Sequence, residues 1–515
     1  EEIDLNAITR ERPDYFAPDL YAEQTPTPER PGEQHRGQLR MAHRLAETYA
    51  GRLMYVNGMD WHHWDGTRWA PDETAAAERA VHDVLRSALA ESHEGDRNLR
   101  DDVRRCENAA GIRGVLDIAA TLPGIRVPVS ALDADPYLLN VANGTLDLRT
   151  RTLRPHDPAD RLTRVCRGAW EPEAGGGVWE AFLATILPVE AEREYLRRVI
   201  GQAVFGAVRE HLFPVLTGTG ANGKGTAYTA IAHALGDYAA VIDPDMLMTS
   251  GRGPGGPEMM QLFGARLVIG SETEEGKPLD AALMKRLTGG DPITARNLYQ
   301  PPVTWEPSHQ FVFVTNHLPK VKGNDPAVWR RVRVIPFDVV IPPEHRDTAL
   351  PERLRAAADA VVTWAVRGWW DYEDHGMGEP DAVLSATDAY AAESDAVRRF
   401  IAENCVVMAG ASARSSDLHQ SWAAWAVQDG ADPLSAKAFG AELDRLGYPA
   451  KRTKVGMVRA GIGLTAECED FIEACQQTSR QQRRLGDDEL HPLAQQVQLG
   501  VGVGVHLDVG RADRG

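Results

Sequence analysis

A glycine-rich segment that ends in lysine and threonine carries the clearest chemical signal in the sequence. It reads GTGANGKGT, with a strand-like run before it at 212–217 and a helix-like run after it at 226–235. In that context the glycines let backbone N–H groups turn toward phosphate oxygens, and the helix N-terminus adds positive partial charge. The expected phosphate-binding residues are Gly218, Gly220, Asn222, Gly223, Lys224, Gly225 and Thr226.

The end of this segment departs from the usual phosphate-loop pattern at one position. Lys224 is expected to reach the β- and γ-phosphates of a nucleotide. Gly225 stands where serine or threonine normally holds Mg²⁺, so Thr226 is the candidate metal ligand. Pro214 is unusual in the preceding strand because proline cannot donate to a ladder. The alternative interpretation is a glycine-rich surface turn, which the flanking elements disfavour.

Two later apolar runs end in polar residues that suit phosphate chemistry. The run RLVIGSE ends at Glu272, and Glu274 and Glu275 follow it. A carboxylate at the end of a buried strand can hold Mg²⁺ and act as base for an attacking water, with Glu272 as first choice. The run FVFVTN ends at Asn316, whose amide can orient that water or contact the γ-phosphate. The alternatives are a solvated acidic turn and an Asx-turn.

Two adjacent arginines, Arg330 and Arg331, follow a loop that contains Gly323 and Asp325. Neighbouring residues of a strand point to opposite faces, so only one of the two can face a given nucleotide. In ring-shaped motors such an arginine enters the neighbouring subunit's site and stabilises charge on the transferred phosphoryl group. The alternative is a solvated basic strand edge.

Composition sets the broad class of the protein. The chain has 515 residues, 43 % of them hydrophobic and 25 % charged, as in a folded protein of about three domains. Its net charge of −18 argues against a surface coated in basic residues, but a motor can hold DNA in a narrow channel through local charge. The five scattered cysteines form no CxxC pair and favour a reducing cytosol. We find no apolar run that could span a bilayer and no secretory signal.

Patterning along the chain predicts an α/β protein with a nucleotide-binding core and smaller flanking domains. Strands alternate with helices around the glycine-rich segment, which is typical of a parallel sheet. The expected units are a disordered lead-in at 1–36, an α+β domain at 37–190, the ATPase core at 191–345, a helical connector at 346–392, a winged-helix-like domain at 393–465 and a tail of unknown role at 466–515.

Taken in order, these pieces resemble superfamily 3 helicases, and more narrowly the phage and plasmid primase-helicase family that includes the poxvirus primase-helicase. The segments that carry the resemblance are GTGANGKGT, RLVIGSETEEGKPLD, KRLTGGDPITARNLY, FVFVTNHLP and DPAVWRRVRVIPF. The resemblance implies an AAA+-like P-loop core in which Lys224 and Thr226 belong to Walker A, Glu272 to Walker B and Asn316 to the sensor. Arg330 or Arg331 would be the arginine finger.

The resemblance also implies which cations meet DNA. KRLTGGDPITARNLY is similar to the segment that faces the central channel, with Lys285, Arg286 and Arg296 as contacts and Gly289-Gly290 as a tight hairpin turn. The C-terminal segments resemble a winged-helix domain, with a recognition-type helix over 434–446. Its wing would present Lys451, Arg452, Lys454 and Arg459 to DNA. The alternative for this domain is a helical oligomerisation cap.

The function expected from these features is ATP-dependent DNA unwinding by a hexameric ring, in replication of a phage or mobile element. The cofactors would be ATP and Mg²⁺, and the partners single-stranded or forked DNA, five further copies of the chain and a separate primase or polymerase. We expect no membrane partner, no primase domain in this chain and a location in the bacterial host cytoplasm. The alternatives are a P-loop small-molecule kinase and an ATP-switched, origin-binding regulatory protein.

Overall fold

The N-terminal region is built from helices packed on a small sheet. The computed structural model describes residues 34–466 except 95, 175–176, 250–256, 272–277, 322–324 and 455, and also residues 468 and 472. The first elements are α1 (Gly37–Thr48), β1 (Leu53–Val56), β2 (Asp60–Trp64), β3 (Trp69–Pro71), α2 (Ala76–Glu91), α3 (Arg97–Cys106), α4 (Ala109–Ala119) and β4 (Arg126–Val127). The strands lie in the order β3-β2-β1-β4.

Strands β2 and β3 of this sheet form a hairpin. Trp64 pairs with Trp69 across β2 and β3. The side-chain oxygen of Asp65 accepts hydrogen bonds from the backbone N–H groups of Thr67 at 2.8 Å and Arg68 at 2.9 Å. An aspartate that accepts from the backbone ahead of it stabilises a tight turn, so Asp65 and Gly66 begin the turn of this hairpin.

A three-stranded meander and two helices connect this region to the core. Their bounds are β5 (Leu138–Val141), β6 (Gly144–Asp147), β7 (Thr152–Arg154), α5 (Gly177–Ile186) and α6 (Glu190–Gln202). Buried Arg266 of the core donates to the backbone oxygens of Leu138 and Val204, and its guanidinium stacks on Tyr238 at 4.6 Å. Since these carbonyls lie on separate elements, one side chain joins the meander, the helices and the core.

The core is a parallel sheet with helices against it. Its elements are β8 (Phe213–Thr217), α7 (Lys224–Leu235), β9 (Ala239–Ile242), β10 (Leu267–Ser271), β11 (Pro278–Leu279), α8 (Ala281–Leu287), β12 (Ile293–Ala295), β13 (Val303–Trp305), β14 (Gln310–Val314), β15 (Lys320–Val321), α9 (Pro326–Trp329) and β16 (Val332–Pro336). The central strands lie in the order β16-β8-β14-β10-β9, and each neighbouring pair is parallel. The carboxyl ends of these strands therefore share one edge of the sheet.

Pro214 lies in a central strand, which its missing N–H group would ordinarily disfavour. The pairing of β8 with β14 begins one residue later, at Val215 opposite Phe313. Pro214 is paired only on the β16 side, opposite Arg333. The strand therefore accommodates the proline because the ladder with β14 starts after it.

Helices and a second small domain follow the core. The bounds are α10 (Leu350–Ala356), α11 (Ala358–His375), α12 (Asp381–Ser394), α13 (Ala396–Asn404), β17 (Cys405–Arg414), α14 (Ser415–Asp429), α15 (Ala436–Arg445), β18 (Ala450–Thr453) and β19 (Gly456–Leu464). The last strands form an antiparallel sheet in the order β17-β19-β18. Phe400, Trp422, Phe439 and Leu443 form its own buried apolar cluster, which makes this part a separate packing unit.

The fold is a mixed α/β architecture, as the sequence predicted. None of the helices in the described part of the chain combines the length and apolar character that a membrane span requires.

The predicted hairpin turn at Gly289-Gly290 is wrong. That pair lies just after α8, whose C-cap is Thr288, and the hairpin is formed by β12 and β13 with its tip at 296–302. Glycines are common after helices as well as in hairpins, which explains the error.

Candidate nucleotide site and nucleic-acid surface

The predicted phosphate-binding loop connects the carboxyl end of β8 to the N-terminus of α7, where Lys224 is the first helical residue. Gly223 has φ of 82°, and a Cβ there would come within 2.4 Å of Ile186 Cγ2. Gly218 has φ of 154°, and a Cβ there would lie 2.3 Å from Asn222 Nδ2. Both glycines are therefore required by backbone conformation and by close packing.

Asn222 attaches the loop to the chain that follows β16. Its side chain is buried, and its Nδ2 donates to the backbone oxygen of Phe337 at 3.1 Å. The backbone N–H of Ile341 donates to the backbone oxygen of Ala221 at 2.8 Å. These bonds fix the loop from one side to the chain segment that follows β16.

The other predicted phosphate contacts lie on the open side of the loop. A Cβ built on Gly220 or Gly225 would meet no atom within 4 Å. Thr226 is half-buried in the first turn of α7. An open face beside a helix N-terminus is the place where phosphate oxygens bind to backbone N–H groups, so these residues fit a nucleotide triphosphate.

Lys224 and Asn316 are brought together at the carboxyl edge of the sheet. The Nζ atom of Lys224 donates to the backbone oxygen of Gly218 at 2.7 Å and to Oδ1 of Asn316 at 3.1 Å. Lys224 is 4 % exposed, whereas Asn316, directly after β14 and Thr315, is exposed. The amide oxygen of Asn316 and the carbonyl oxygen of Gly218 therefore orient this ammonium beside the glycine loop.

The predicted acidic ligand lies outside the described residues. Glu272 and its alternatives, Glu274 and Glu275, fall within 272–277. The described strand before them, β10, is the immediate parallel neighbour of β14. Their roles as metal ligand and base stay predictions.

The two adjacent arginines have different surroundings. Arg331 is 6 % exposed, its guanidinium donates to the backbone oxygen of Ala327 at 2.8 Å, and burial lowers its pKa. Arg330 is exposed at the N-terminal end of β16. Of the two candidate fingers, Arg330 is therefore the one that a neighbouring molecule can reach.

The β12–β13 hairpin projects an exposed tip that carries one predicted DNA contact. Arg296 directly follows β12 and is exposed, and Leu298 and Tyr299 beside it are exposed as well. Tyr299 has φ of 63°, a left-handed conformation that favours glycine or asparagine over tyrosine. Tyr299 is not among the contacts predicted from the sequence, although an aromatic residue close to an arginine is a usual signal for base stacking.

Lys285 and Arg286 lie on α8 rather than on the hairpin. The ammonium of Lys285 is 2.7 Å from Oδ2 of Asp325, and this hydrogen bond lowers the pKa of the aspartate. The other oxygen of Asp325 caps α9 by accepting from the N–H of Ala327 at 2.8 Å. Lys285 thus has an intramolecular partner, whereas Arg286 is exposed.

The C-terminal cations separate into two groups. Lys451, Arg452 and Lys454 are exposed on β18 and the turn after it. Arg459 is 3 % exposed and donates to Oδ1 of Asp444 at 2.6 Å and to the backbone oxygen of Gly440 at 2.9 Å. The expectation that Arg459 faces DNA is wrong, because its guanidinium holds α15 against β19.

Two family models match separate parts of the chain. Residues 42–188 match a family model described as D5 N terminal like. Residues 216–331, which contain the glycine loop, Asn316 and Arg330, match a model described as a family of unknown function (DUF5906).

Curated relatives come from large DNA viruses. "Putative helicase L207/L206" of Acanthamoeba polyphaga mimivirus is 27% identical over 353 residues, covering 64% of this chain and 37% of the relative. "Putative helicase 022R" of Frog virus 3 is 29% identical over 245 residues, covering 43% and 25%. "Putative primase C962R" of African swine fever virus is 25% identical over 323 residues, covering 57% and 33%. The chain spans about a quarter to two fifths of the length of these relatives.

Among solved structures, the apo A form of the NrS-1 C terminal region covers 84% of this chain and 100% of that one, with 9% identity and a TM-score of 0.44. That similarity is too low to specify fold or function. The family and sequence matches, by contrast, confirm the resemblance to the D5-like primase-helicase family that the motifs indicated.

Proposed function

We propose that this chain is an ATP-dependent DNA helicase subunit whose core is an AAA+-like P-loop ATPase. The observation that carries the proposal is the contact of Lys224 Nζ with both the glycine loop and Asn316. A lysine between a phosphate-binding loop and a polar strand end lies where the terminal phosphate of a nucleotide has to be held and sensed.

Each residue of the proposed site has its own role in ATP hydrolysis. Bound Mg²⁺-ATP supplies the terminal phosphate that water attacks, with Thr226 and Glu272 as the proposed metal ligands. Lys224 holds the phosphate oxygens, Asn316 orients the water, and Glu272 accepts its proton. The loop N–H groups stabilise negative charge as it develops.

The proposed ring follows from the position of Arg330. β16 runs parallel to β8, so Arg330, ahead of Val332, lies at the end of the sheet opposite the glycine loop. The strand alone is about 13 Å long from Val332 to Pro336, and an arginine side chain cannot reach across it. A finger role therefore requires a second copy, and a head-to-tail contact that closes produces a ring, which we propose to be a hexamer.

The nucleic-acid contacts proposed are the hairpin tip and the C-terminal domain. Arg296 and Tyr299 offer a cation for phosphate and an aromatic face for a base. The helix and strand order from α13 to β19, with its exposed basic run, supports a winged-helix-like domain. Single-stranded or forked DNA is the proposed substrate.

The names of the viral relatives support a role in DNA replication. Two of them are called helicases and one a primase. We propose that this chain supplies the motor, with a separate primase or polymerase, during replication of a phage or mobile element in a bacterial host cytoplasm.

ATP hydrolysis measured with and without single-stranded DNA tests the proposal. We expect stimulation by DNA, and a loss of about a hundredfold or more in Lys224→Ala and Glu272→Gln. Thr229→Ala, on the exposed face of α7, is the control and should keep full activity. A phosphorylated small-molecule product would instead identify a kinase, and ATP binding without turnover in the presence of DNA would identify a regulatory switch.

A further inference from the structure

The β12–β13 hairpin has one exposed face and one buried face. On the exposed face, the hydroxyl groups of Thr294 and Thr304 share a hydrogen bond at 2.9 Å. The opposite face is buried and consists of Ile293, Ala295, Val303 and Trp305. These four side chains belong to an apolar cluster that also contains Met54 and Val56 of β1. The buried face of the hairpin is therefore shared with the sheet of the N-terminal region.

The turn between β1 and β2 meets this hairpin next to its tip. Gly58 lies in that turn with φ of 84°, and it is buried. A Cβ built on Gly58 would be 2.7 Å from Cγ2 of Val303 and 3.1 Å from the backbone oxygen of Pro301. Only glycine therefore fits between the turn and the hairpin, because any side chain would displace one of them.

The segment from this contact to Tyr299 is short and stiff. The N–H of Gln300 donates to the backbone oxygen of Asn297 at 3.2 Å, which closes a tight turn around the fully exposed Tyr299. Pro301 and Pro302 follow, and each proline ring restricts φ to about −65°. Since one residue separates Tyr299 from Pro301, a shift of Pro301 also shifts the tyrosine ring.

We infer that the β1–β2 turn positions the DNA-contacting tip of the hairpin, with Gly58 as the positioning residue for Tyr299. This inference rests on the proposed DNA contact of Arg296 and Tyr299, and it adds the part of the chain that holds them in place. An aromatic ring stacks on a base only at short range and in a suitable orientation. A tip that is held in place before DNA arrives loses less conformational entropy on binding.

Gly58→Ala tests the inference, and Gly51→Ala is its matched control. Gly51 lies between α1 and β1 in the same region with φ of 70°, but a Cβ there would meet no atom of the described residues within 4 Å. Alanine is therefore similarly strained at both positions, whereas only Gly58→Ala presses on the hairpin. We expect single-stranded DNA affinity in fluorescence titrations to fall about tenfold in Gly58→Ala and to stay unchanged in Gly51→Ala.

Two double variants distinguish positioning from general destabilisation. Val303→Ala removes the Cγ2 atom that the new Cβ would meet, so Gly58→Ala/Val303→Ala should bind DNA more tightly than Gly58→Ala does. In a Tyr299→Ala background, Gly58→Ala should cause little further loss of affinity, because the ring that it displaces is absent. A general loss of stability would instead lower the affinity in both backgrounds.

Hydrogen exchange at 293–305 reports the packing of the hairpin without DNA. We expect faster exchange in Gly58→Ala than in the wild-type protein and in Gly51→Ala. Unchanged exchange in Gly58→Ala, or a loss of affinity fully additive with that of Tyr299→Ala, would overturn the inference. Affinity that falls in Tyr299→Ala but not in Gly58→Ala would overturn the inference alone. Affinity unchanged in Tyr299→Ala would refute the proposed DNA contact, and this inference with it.

Discussion

Replacing Arg330 with alanine tests whether the catalytic site is shared between two copies of the chain. Arg330 is exposed at the N-terminal end of β16. β16 is aligned with β8 from Val332 opposite Phe213 to Pro336 opposite Thr217, directly before the glycine loop. The replacement therefore removes a cation that is remote from the nucleotide of its own chain.

The expected magnitude follows from that geometry. β16 runs from Val332 to Pro336, about 13 Å at about 3.3 Å per residue, and Arg330 lies two residues before the strand begins. At that distance an exposed charge is screened from the chain's own nucleotide, because the Debye length is about 8 Å at physiological salt. ATP affinity should stay the same, whereas turnover should fall by about a thousandfold or more if the arginine acts on a neighbour's phosphoryl group.

Mixing two inactive variants provides the assay. Arg330→Ala keeps its glycine loop, and Lys224→Ala keeps its arginine. In randomly assembled rings of equal amounts, about a quarter of the interfaces combine an intact loop with an intact arginine. We therefore expect the mixture to recover about a quarter of the wild-type ATPase rate, while each variant alone stays inactive.

Arg105→Ala is the matched control, since Arg105 is an exposed arginine at the end of α3 in the N-terminal region. It should leave the rate unchanged. Full activity of Arg330→Ala alone, or a mixture no more active than its parts, would show that Arg330 is not a shared catalytic residue. Activity of the mixture restored to a quarter of the wild-type rate, with unchanged ATP affinity in Arg330→Ala alone, is the result that supports a shared site.

Three further predictions concern stability and DNA contact. Arg266→Met should lower the free energy of unfolding by about 3 kcal/mol, measured by urea denaturation, because two buried carbonyls lose their donor. Burial lowers the pKa of His309 from 6.5 to about 4, so the unfolded chain protonates first as pH falls. The stability present above pH 6.5 should decrease by about 3 kcal/mol toward pH 4, and His309→Gln should flatten that profile. Tyr299→Ala should weaken single-stranded DNA binding by about 1–3 kcal/mol in fluorescence titrations, whereas Leu153→Ala should not. If Tyr299→Ala binds single-stranded DNA as tightly as the wild-type protein does, the hairpin tip is not part of the DNA-binding surface.

The glycine loop could be predicted from sequence because its signals are local. Glycines that adopt left-handed conformations, a lysine at the start of a helix and an apolar strand before them all lie within about fifteen consecutive residues. The prediction of Asn316 as a partner of this loop depended on a longer-range rule. Parallel strands bring their carboxyl ends to one edge, and β14 is the direct neighbour of β8.

Side-chain exposure could not be predicted in the same way. The sequence pattern does not distinguish Arg330 from Arg331. In the structure, Arg331 is buried and its guanidinium donates to the backbone oxygen of Ala327. Arg459 has the charge expected of a wing residue, yet it lies buried opposite Ala450, with its guanidinium on Asp444 of α15. The guanidinium of an arginine can donate hydrogen bonds to a buried carbonyl group or to a DNA phosphate. The sequence alone does not indicate which of the two acceptors it meets.

The acidic character of the chain has a consequence for how it can hold nucleic acid. With a net charge of −18, long-range attraction to DNA is unfavourable, so binding must depend on cations within about one Debye length of the phosphates. Lys451, Arg452 and Lys454 are the cations we propose for this role, since all three are exposed within four consecutive positions. The proposed ring would repeat these three cations around a common axis, but it would repeat the net negative charge of each copy too. Binding by such an assembly would therefore depend on the local charge at that axis and not on its total charge.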